Sequence, residues 1–193
     1  MDVAPRDLEL LHPPPHPLLL ELERRALDDG VEIASRETGR LLSTLVHAMQ
    51  ASRILEIGTG YGYATLWMAF AQPRMGKIWT IDPDMRRTDV AQSYFKHAGE
   101  DDFIEIFNTP AIELLENFPH RNLDVVFVDA SPDEHRTYLD RVLPMLKLSG
   151  IVVAYDCLGP HPNEFVRYFL GHPDLDATVL PLGKGTGIGA RKR

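Results

Sequence analysis

One cysteine in 193 residues, Cys157, leaves no partner for an intrachain disulfide and suits a reducing compartment. No apolar run approaches the roughly 20 residues that a bilayer-crossing helix needs. Residues 1–17 are acidic and proline-rich, which is not the basic-then-apolar pattern of a signal peptide. The expectation is a cytoplasmic protein with no membrane partner. Positive charge is also scarce: 20 Lys and Arg stand against 28 Asp and Glu, a net charge of -8, and the only basic cluster is Arg191-Lys192-Arg193. Nucleic-acid binders carry a basic patch or stripe, so this balance disfavours a nucleic-acid partner and leaves a small molecule as the expected one.

What is present is ordinary for a globular chain: 44% hydrophobic and 25% charged residues, with enough length for one sizeable core. Residues 1–17, with Pro13-Pro14-Pro15 and Pro17, read as an extended arm. His12 and His16 on it read as solvated histidines rather than metal ligands. Residues 18–193 read as one domain. A helix is expected over 17–29, stopped by Gly30, and a second capped by Ser35. From residue 54 onward apolar strands alternate with amphipathic helices. Strands are expected at 54–57, 77–82, 103–107, 123–129 and 151–156, and two short ones around Gly183-Lys184-Gly185. The helix after the fourth strand places Leu139, Val142, Leu143 and Leu146 on one face, with Gly150 as its break. Such alternation predicts an α/β, doubly wound, mostly parallel sheet with helices on both faces. Ligands then bind beyond the C-terminal strand ends.

The first strand runs into Gly58-Thr59-Gly60-Tyr61-Gly62-Tyr63 and then a helix. Strand, glycine-rich turn and helix N-terminus form a corner that a nucleotide-like ligand can approach closely. Glu56 lies just before it. A carboxylate there would repel a pyrophosphate and attract a cation, so the expected ligand is S-adenosylmethionine, which carries an ammonium and a sulfonium. Three further acids, Asp82, Asp129 and Asp156, close later strands. Asp82, one strand beyond the corner, is suited to accept hydrogen bonds from both ribose hydroxyls, while Asp84 is the better helix cap. Asp129 and Asp156 are candidates for a shared Mg or Ca site, since these ions prefer oxygen ligands. Ser131-Pro132-Asp133-Glu134 reads as a capping box. His135 and His161 lie near the expected site as candidate bases, although satisfied or surface histidines fit them as well.

These residues resemble the small class I S-adenosylmethionine-dependent O-methyltransferases related to catechol and caffeoyl-CoA O-methyltransferases. The resemblance is carried by Leu55-Glu56-Ile57-Gly58-Thr59 with Gly62-Tyr63, by Ile81-Asp82, Ala111, Phe127-Val128-Asp129-Ala130 and Tyr155-Asp156, and by the tail Leu180-Pro181-Leu182-Gly183-Lys184-Gly185. It implies a seven-stranded Rossmann-like sheet whose last strand is antiparallel, and often a homodimer. It implies a cofactor site of Ala34, Glu56, Gly58, Thr59, Gly62, Tyr63, Asp82, Ala111 and Asp129, with Glu56 near the methionine portion, Asp82 at the ribose and Ala111 by the adenine. Asp129 and Asp156 become the catalytic pair, holding a divalent metal together with an asparagine next in sequence. Here that third position is Cys157, the position of the family's catalytic lysine is Pro132, and the serine after the Gly-Tyr pair is Ala64. The metal therefore stays open. The expected activity is methyl transfer to a hydroxyl of a small, aromatic acceptor. The alternatives are a cofactor-binding protein with lost or altered catalysis, a tRNA-modifying methyltransferase, and a nicotinamide-dependent oxidoreductase, against which Glu56 has the wrong sign.

Overall fold

The structure is a computed structural model that describes residues 11–159 and 164–192. Helices α1 (Pro17–Asp29) and α2 (Arg36–Met49) precede β1 (Arg53–Ile57). Then follow α3 (Tyr63–Ala69), β2 (Lys77–Ile81), α4 (Met85–Ala98), β3 (Ile104–Phe107), α5 (Ala111–Glu116), β4 (Leu123–Val128), α6 (His135–Val142), β5 (Leu146–Ala154), α7 (Glu164–Leu170), β6 (Leu175–Leu180) and β7 (Thr186–Arg191). One seven-stranded sheet has the order β3-β2-β1-β4-β5-β7-β6. Neighbours from β3 to β5 are parallel, and β7 runs antiparallel to both β5 and β6. This is the expected doubly wound sheet with its antiparallel last strand.

The helix ends follow local chemistry. Ser35 Oγ accepts from the Thr38 amide at 3.2 Å to start α2, and Asp84 Oδ1 accepts from the Arg86 amide at 3.0 Å to start α4. Gly30 and Gly99, at φ 66° and 70°, close α1 and α4 in the left-handed conformation. The arm is less detached than its prolines suggest. Pro15 is buried, His16 caps α1 through its Nδ1, and its ring lies 4.5 Å from Phe70.

Central strands β1 and β4 are buried on both faces. Ile54 and Phe127 pack with the side that carries α1 to α4. Leu55, Ile57, Val126 and Val128 pack with the side that carries α5 to α7. One expectation fails: β5 begins at Leu146, before Gly150, rather than after it. Pro144 cannot donate to a helix ladder, so α6 gives way to a single 3-10 turn over Leu143–Met145. Leu146 then pairs with Leu123, and an irregularity realigns the strands so that Ile151 meets Val125.

Register brings the parallel strand ends into line. Ile57 pairs with Ile81 and with Val128, and Val128 pairs with Ala154. Backbone bonds continue past these ends: Gly58 N donates to Ile81 O at 2.8 Å, Asp129 N to Ile57 O at 2.8 Å, and Tyr155 N to Val128 O at 2.9 Å. Gly58, Asp82, Asp129 and Tyr155 thus stand along one edge of the sheet.

Candidate functional site

Above that edge lies a cavity of about 490 Å³. Its wall takes Ala34 from the segment before α2, Gly58, Thr59, Gly60 and Tyr63 from the β1–α3 corner, and Asp82 after β2. Ala111 at the start of α5, Asp129 after β4, Asp156 after β5 and Lys184 from the β6–β7 turn complete it. The expected cofactor and carboxylate positions therefore converge on one space, with two exceptions, Glu56 and Gly62.

Glu56 is the first exception. It sits one residue before the end of β1, so the two-residue period of a strand turns its side chain into the sheet face under α3. The side chain is fully buried and is not part of the cavity wall. Its Oε2 accepts from Thr65 Oγ1 at 2.5 Å and from Thr80 Oγ1 at 2.6 Å, and its Oε1 has no hydrogen-bond partner. Burial pushes its pKa up to about 8, against the two threonine bonds that lower it. The carboxyl is turned away from the cavity and bonded to two threonines, so the negative charge expected to face the ligand does not line the wall at this position. Thr80 spends its one hydroxyl proton on Glu56, which makes Thr59 the donor in the 2.6 Å contact between their hydroxyls.

Gly62 is the second exception. A Cβ there would come within 2.5 Å of the Phe95 ring, and its φ is 81°. Its role is to let α3 start against α4 rather than to touch the cavity. Gly58 does face a close approach: at φ 99° an added Cβ would collide with the Asp129 carbonyl.

Asp82 is held as a ligand-facing acceptor. Its Oδ2 accepts from the Gly60 amide at 2.8 Å and its Oδ1 from the Asp84 amide at 2.9 Å. Each oxygen keeps a lone pair for a further donor. Pro110, Ala111 and Ile112 form an apolar wall beyond it.

Asp129 and Asp156 share the opposite end. Burial pushes the Asp129 carboxyl up to about 7, with the Asp156 charge adding to the rise and Lys184 opposing it. Asp156 is a non-glycine residue at φ 56°. A metal does not fit the residues here. Cys157, at the third position, is buried and its thiol donates to the Ala154 carbonyl at 3.2 Å. Among the described residues no group of three His, Cys, Asp or Glu side chains could hold an ion.

The expected capping box does not form. Ser131 makes no side-chain cap bond, and Glu134 instead accepts from the Tyr138 hydroxyl, over a 3-10 turn that does begin with Pro132. His135 is 2% exposed, with its ring edge-on to Phe165 at 5.0 Å and its Nε2 unpartnered. Burial pushes its pKa down, and it is not on the wall. His161 lies outside the described residues. Sequence reasoning missed Lys184, Glu32, Tyr155 and Glu134 on the wall. Glycines flanking Lys184 were a turn signal, but nothing local pointed that turn at the strand ends.

A sequence model of the O-methyltransferase family matches residues 15–159. The chain is 29% identical over 172 residues to a catechol O-methyltransferase of Mycobacterium tuberculosis, covering 80% of this chain and 78% of that protein. It is 31% identical over 182 residues to caffeoyl-CoA O-methyltransferase 2 of Petunia hybrida, covering 81% and 75%. Its fold is similar to that of the O-methyltransferase TomG of Streptomyces achromogenes, solved in complex with S-adenosylmethionine. That likeness has a TM-score of 0.85 at 24% identity over 96% of this chain and 94% of that one. A methyltransferase-type sheet, a glycine corner opening on a carboxylate-rimmed cavity and a sequence match over most of the length agree: the chain belongs to the O-methyltransferase family.

Proposed function

We propose that the protein transfers the methyl group of S-adenosylmethionine to a hydroxyl of a small aromatic acceptor. The observation that carries this reading is the single cavity spanning the sheet edge, with Asp82 at one end and Asp129 with Asp156 at the other. Asp82 takes the ribose hydroxyls through its two remaining lone pairs, and Pro110, Ala111 and Ile112 face the adenine. The glycine corner lets the methionine portion lie against backbone.

The acceptor oxygen then approaches the methyl carbon from the side of Asp129 and Asp156. A C–O bond forms as the C–S bond breaks, and the electron pair stays on sulfur. The hydroxyl proton passes to a carboxylate. Asp129, with a pKa of about 7, suits taking it and releasing it again near neutral pH. The rest of the acceleration is positional, since holding donor and acceptor in line can supply much of the rate. In related enzymes of this kind a divalent metal would assist ionisation. The donor set here does not fit one, so no step depends on it.

The test is methyl transfer from labelled S-adenosylmethionine to a catechol and phenol panel in EDTA, beside calorimetric titration with S-adenosylhomocysteine. Binding with transfer supports the reading, and no binding overturns it. Pro132 and Cys157 at the family's functional positions favour a second reading, a cofactor-binding protein without transfer. Tight binding with no product from any acceptor would select it. The same proposal includes a homodimer, which light scattering on the purified chain checks, and a cytoplasmic location, which cell fractionation checks.

A further inference from the structure

Charge on the cavity wall is one-sided. Glu32, Asp82, Asp129, Glu134 and Asp156 line it, against two cations among the described residues, Arg87 and Lys184. Arg87 lies on α4 and pairs with Asp84 at 3.5 Å. Lys184 is left as the cation for the carboxylate end. Its backbone is fixed there. Leu158 N donates to the Lys184 carbonyl at 2.9 Å and Cys157 N to the Gly185 carbonyl at 3.0 Å, which zips the β6–β7 turn onto the segment that carries Asp156. Gly183 and Gly185, at φ 56° and 93°, let the turn pass close over Tyr155 and Leu158.

The Lys184 ammonium donates to Glu32 at 2.7 Å, and the Glu32 side chain is 82% exposed. Exposed pairs are weak and exchange readily. Glu32, Asp129, Asp156 and Tyr155 are the titratable groups that face the ammonium, and Glu32 foremost pushes its pKa further up. Lys184 is therefore a fixed cation and not a base.

We infer that Lys184 is the resident cation of this site, leaving Glu32 when an acceptor enters and donating a hydrogen bond to the acceptor oxygen as its hydroxyl ionises. It would supply, from the β6–β7 turn, positive charge in place of the lysine that Pro132 replaces and of the metal that Cys157 does not help to hold. The inference rests on the methyl-transfer reading. In the balanced step the acceptor proton goes to a site carboxylate, the oxygen pair forms the new C–O bond, the sulfonium becomes a neutral thioether, and Lys184 keeps all its protons. A preorganised donor aimed at an oxygen that becomes negative is worth roughly a hundredfold to a thousandfold in rate, and a cation that must first leave Glu32 supplies less.

The probe is 4-nitrocatechol, whose ionised form is coloured, titrated against pH on the full chain saturated with S-adenosylhomocysteine in EDTA. The wild type is expected to lower the apparent ionisation pH of bound probe by about one unit or more. Lys184→Arg should keep part of that shift and Lys184→Gln should lose it, with turnover falling at least about tenfold. Glu32→Gln, which removes the competing carboxylate, should enlarge the shift. No wild-type shift, a shift that Lys184→Gln retains, or one that appears only on adding Mg overturns the inference. Titration with S-adenosylhomocysteine separates the two levels. Its failure in the wild type sinks the methyl-transfer reading, whereas intact binding with an unmoved probe spectrum sinks only the role of Lys184.

Discussion

The two ends of the cavity are built by different means. At the Asp82 end the polar contacts run through backbone: Gly60 N and Asp84 N fix the carboxylate, while Gly58, between the two ends, lets the β1 turn pass close to the Asp129 carbonyl. At the Asp129 end the charged groups come from distant segments, with Glu32 and Lys184 separated by 152 positions and Asp156 between them. The first end depends on chain geometry, which tolerates little substitution. The second depends on side-chain charge, which can be supplied from another segment of the chain. That difference accounts for how the residues proposed for the cofactor keep the family pattern while Pro132 and Cys157 depart from it.

The largest effect that could break this contrast is at Gly58. Gly58→Ala must accept φ 99° and displace the Asp129 carbonyl, so a loss of about 3 kcal/mol in stability and of cofactor binding is expected by denaturant melts and calorimetry. Gly60→Ala is the control. Its φ of 51° has open space around an added Cβ, and the expected loss is only about 1 kcal/mol. Equal losses would show that the close approach at Gly58 does not matter.

Glu56→Gln tests whether the buried carboxyl is neutral. A carboxyl whose folded pKa of about 8 lies above its ordinary value of 4.5 binds more protons folded than unfolded. Its contribution is fully present below pH 4.5 and is lost as pH rises through about 8. Wild-type stability should fall across that window, Asp129 adding in the same direction from its pKa of about 7. Glu56→Gln should flatten the fall, by on the order of a few kcal/mol at most. The check is urea midpoints taken across the window, and parallel curves would mean that Glu56 is ionised in the folded state.

Smallest is Cys157→Ala. The thiol lies in the core and not on the cavity wall, so a stability loss of about 1 kcal/mol with turnover in EDTA within about twofold of wild type is expected. A large kinetic effect would place the thiol in the reaction.

Most of the scaffold was legible because its signals are local. Ser35, Asp84, Gly30 and Gly99 act on their own helix ends, and fully apolar β4 reads directly as a central strand. Glu56 was misread because proximity to the glycine turn says nothing about which face a side chain takes. That is set by where β1 ends, and Ile57 is still in the strand. The start of β5 was missed because Leu139, Val142, Leu143 and Leu146 keep helical spacing through a proline that ends the helix. Lys184 was missed because only the assembled sheet carries a C-terminal turn to the Asp156 segment.

The most direct test of the account compares S-adenosylhomocysteine binding to three forms of the chain by calorimetry: wild type, Asp82→Asn and Lys184→Gln. Wild type and Lys184→Gln should bind alike, and Asp82→Asn should bind roughly tenfold or more weakly, as loss of a charge-assisted acceptor implies. No binding by the wild type, or an Asp82→Asn variant that binds as well as it does, would contradict the division of the cavity into a cofactor end and an acceptor end.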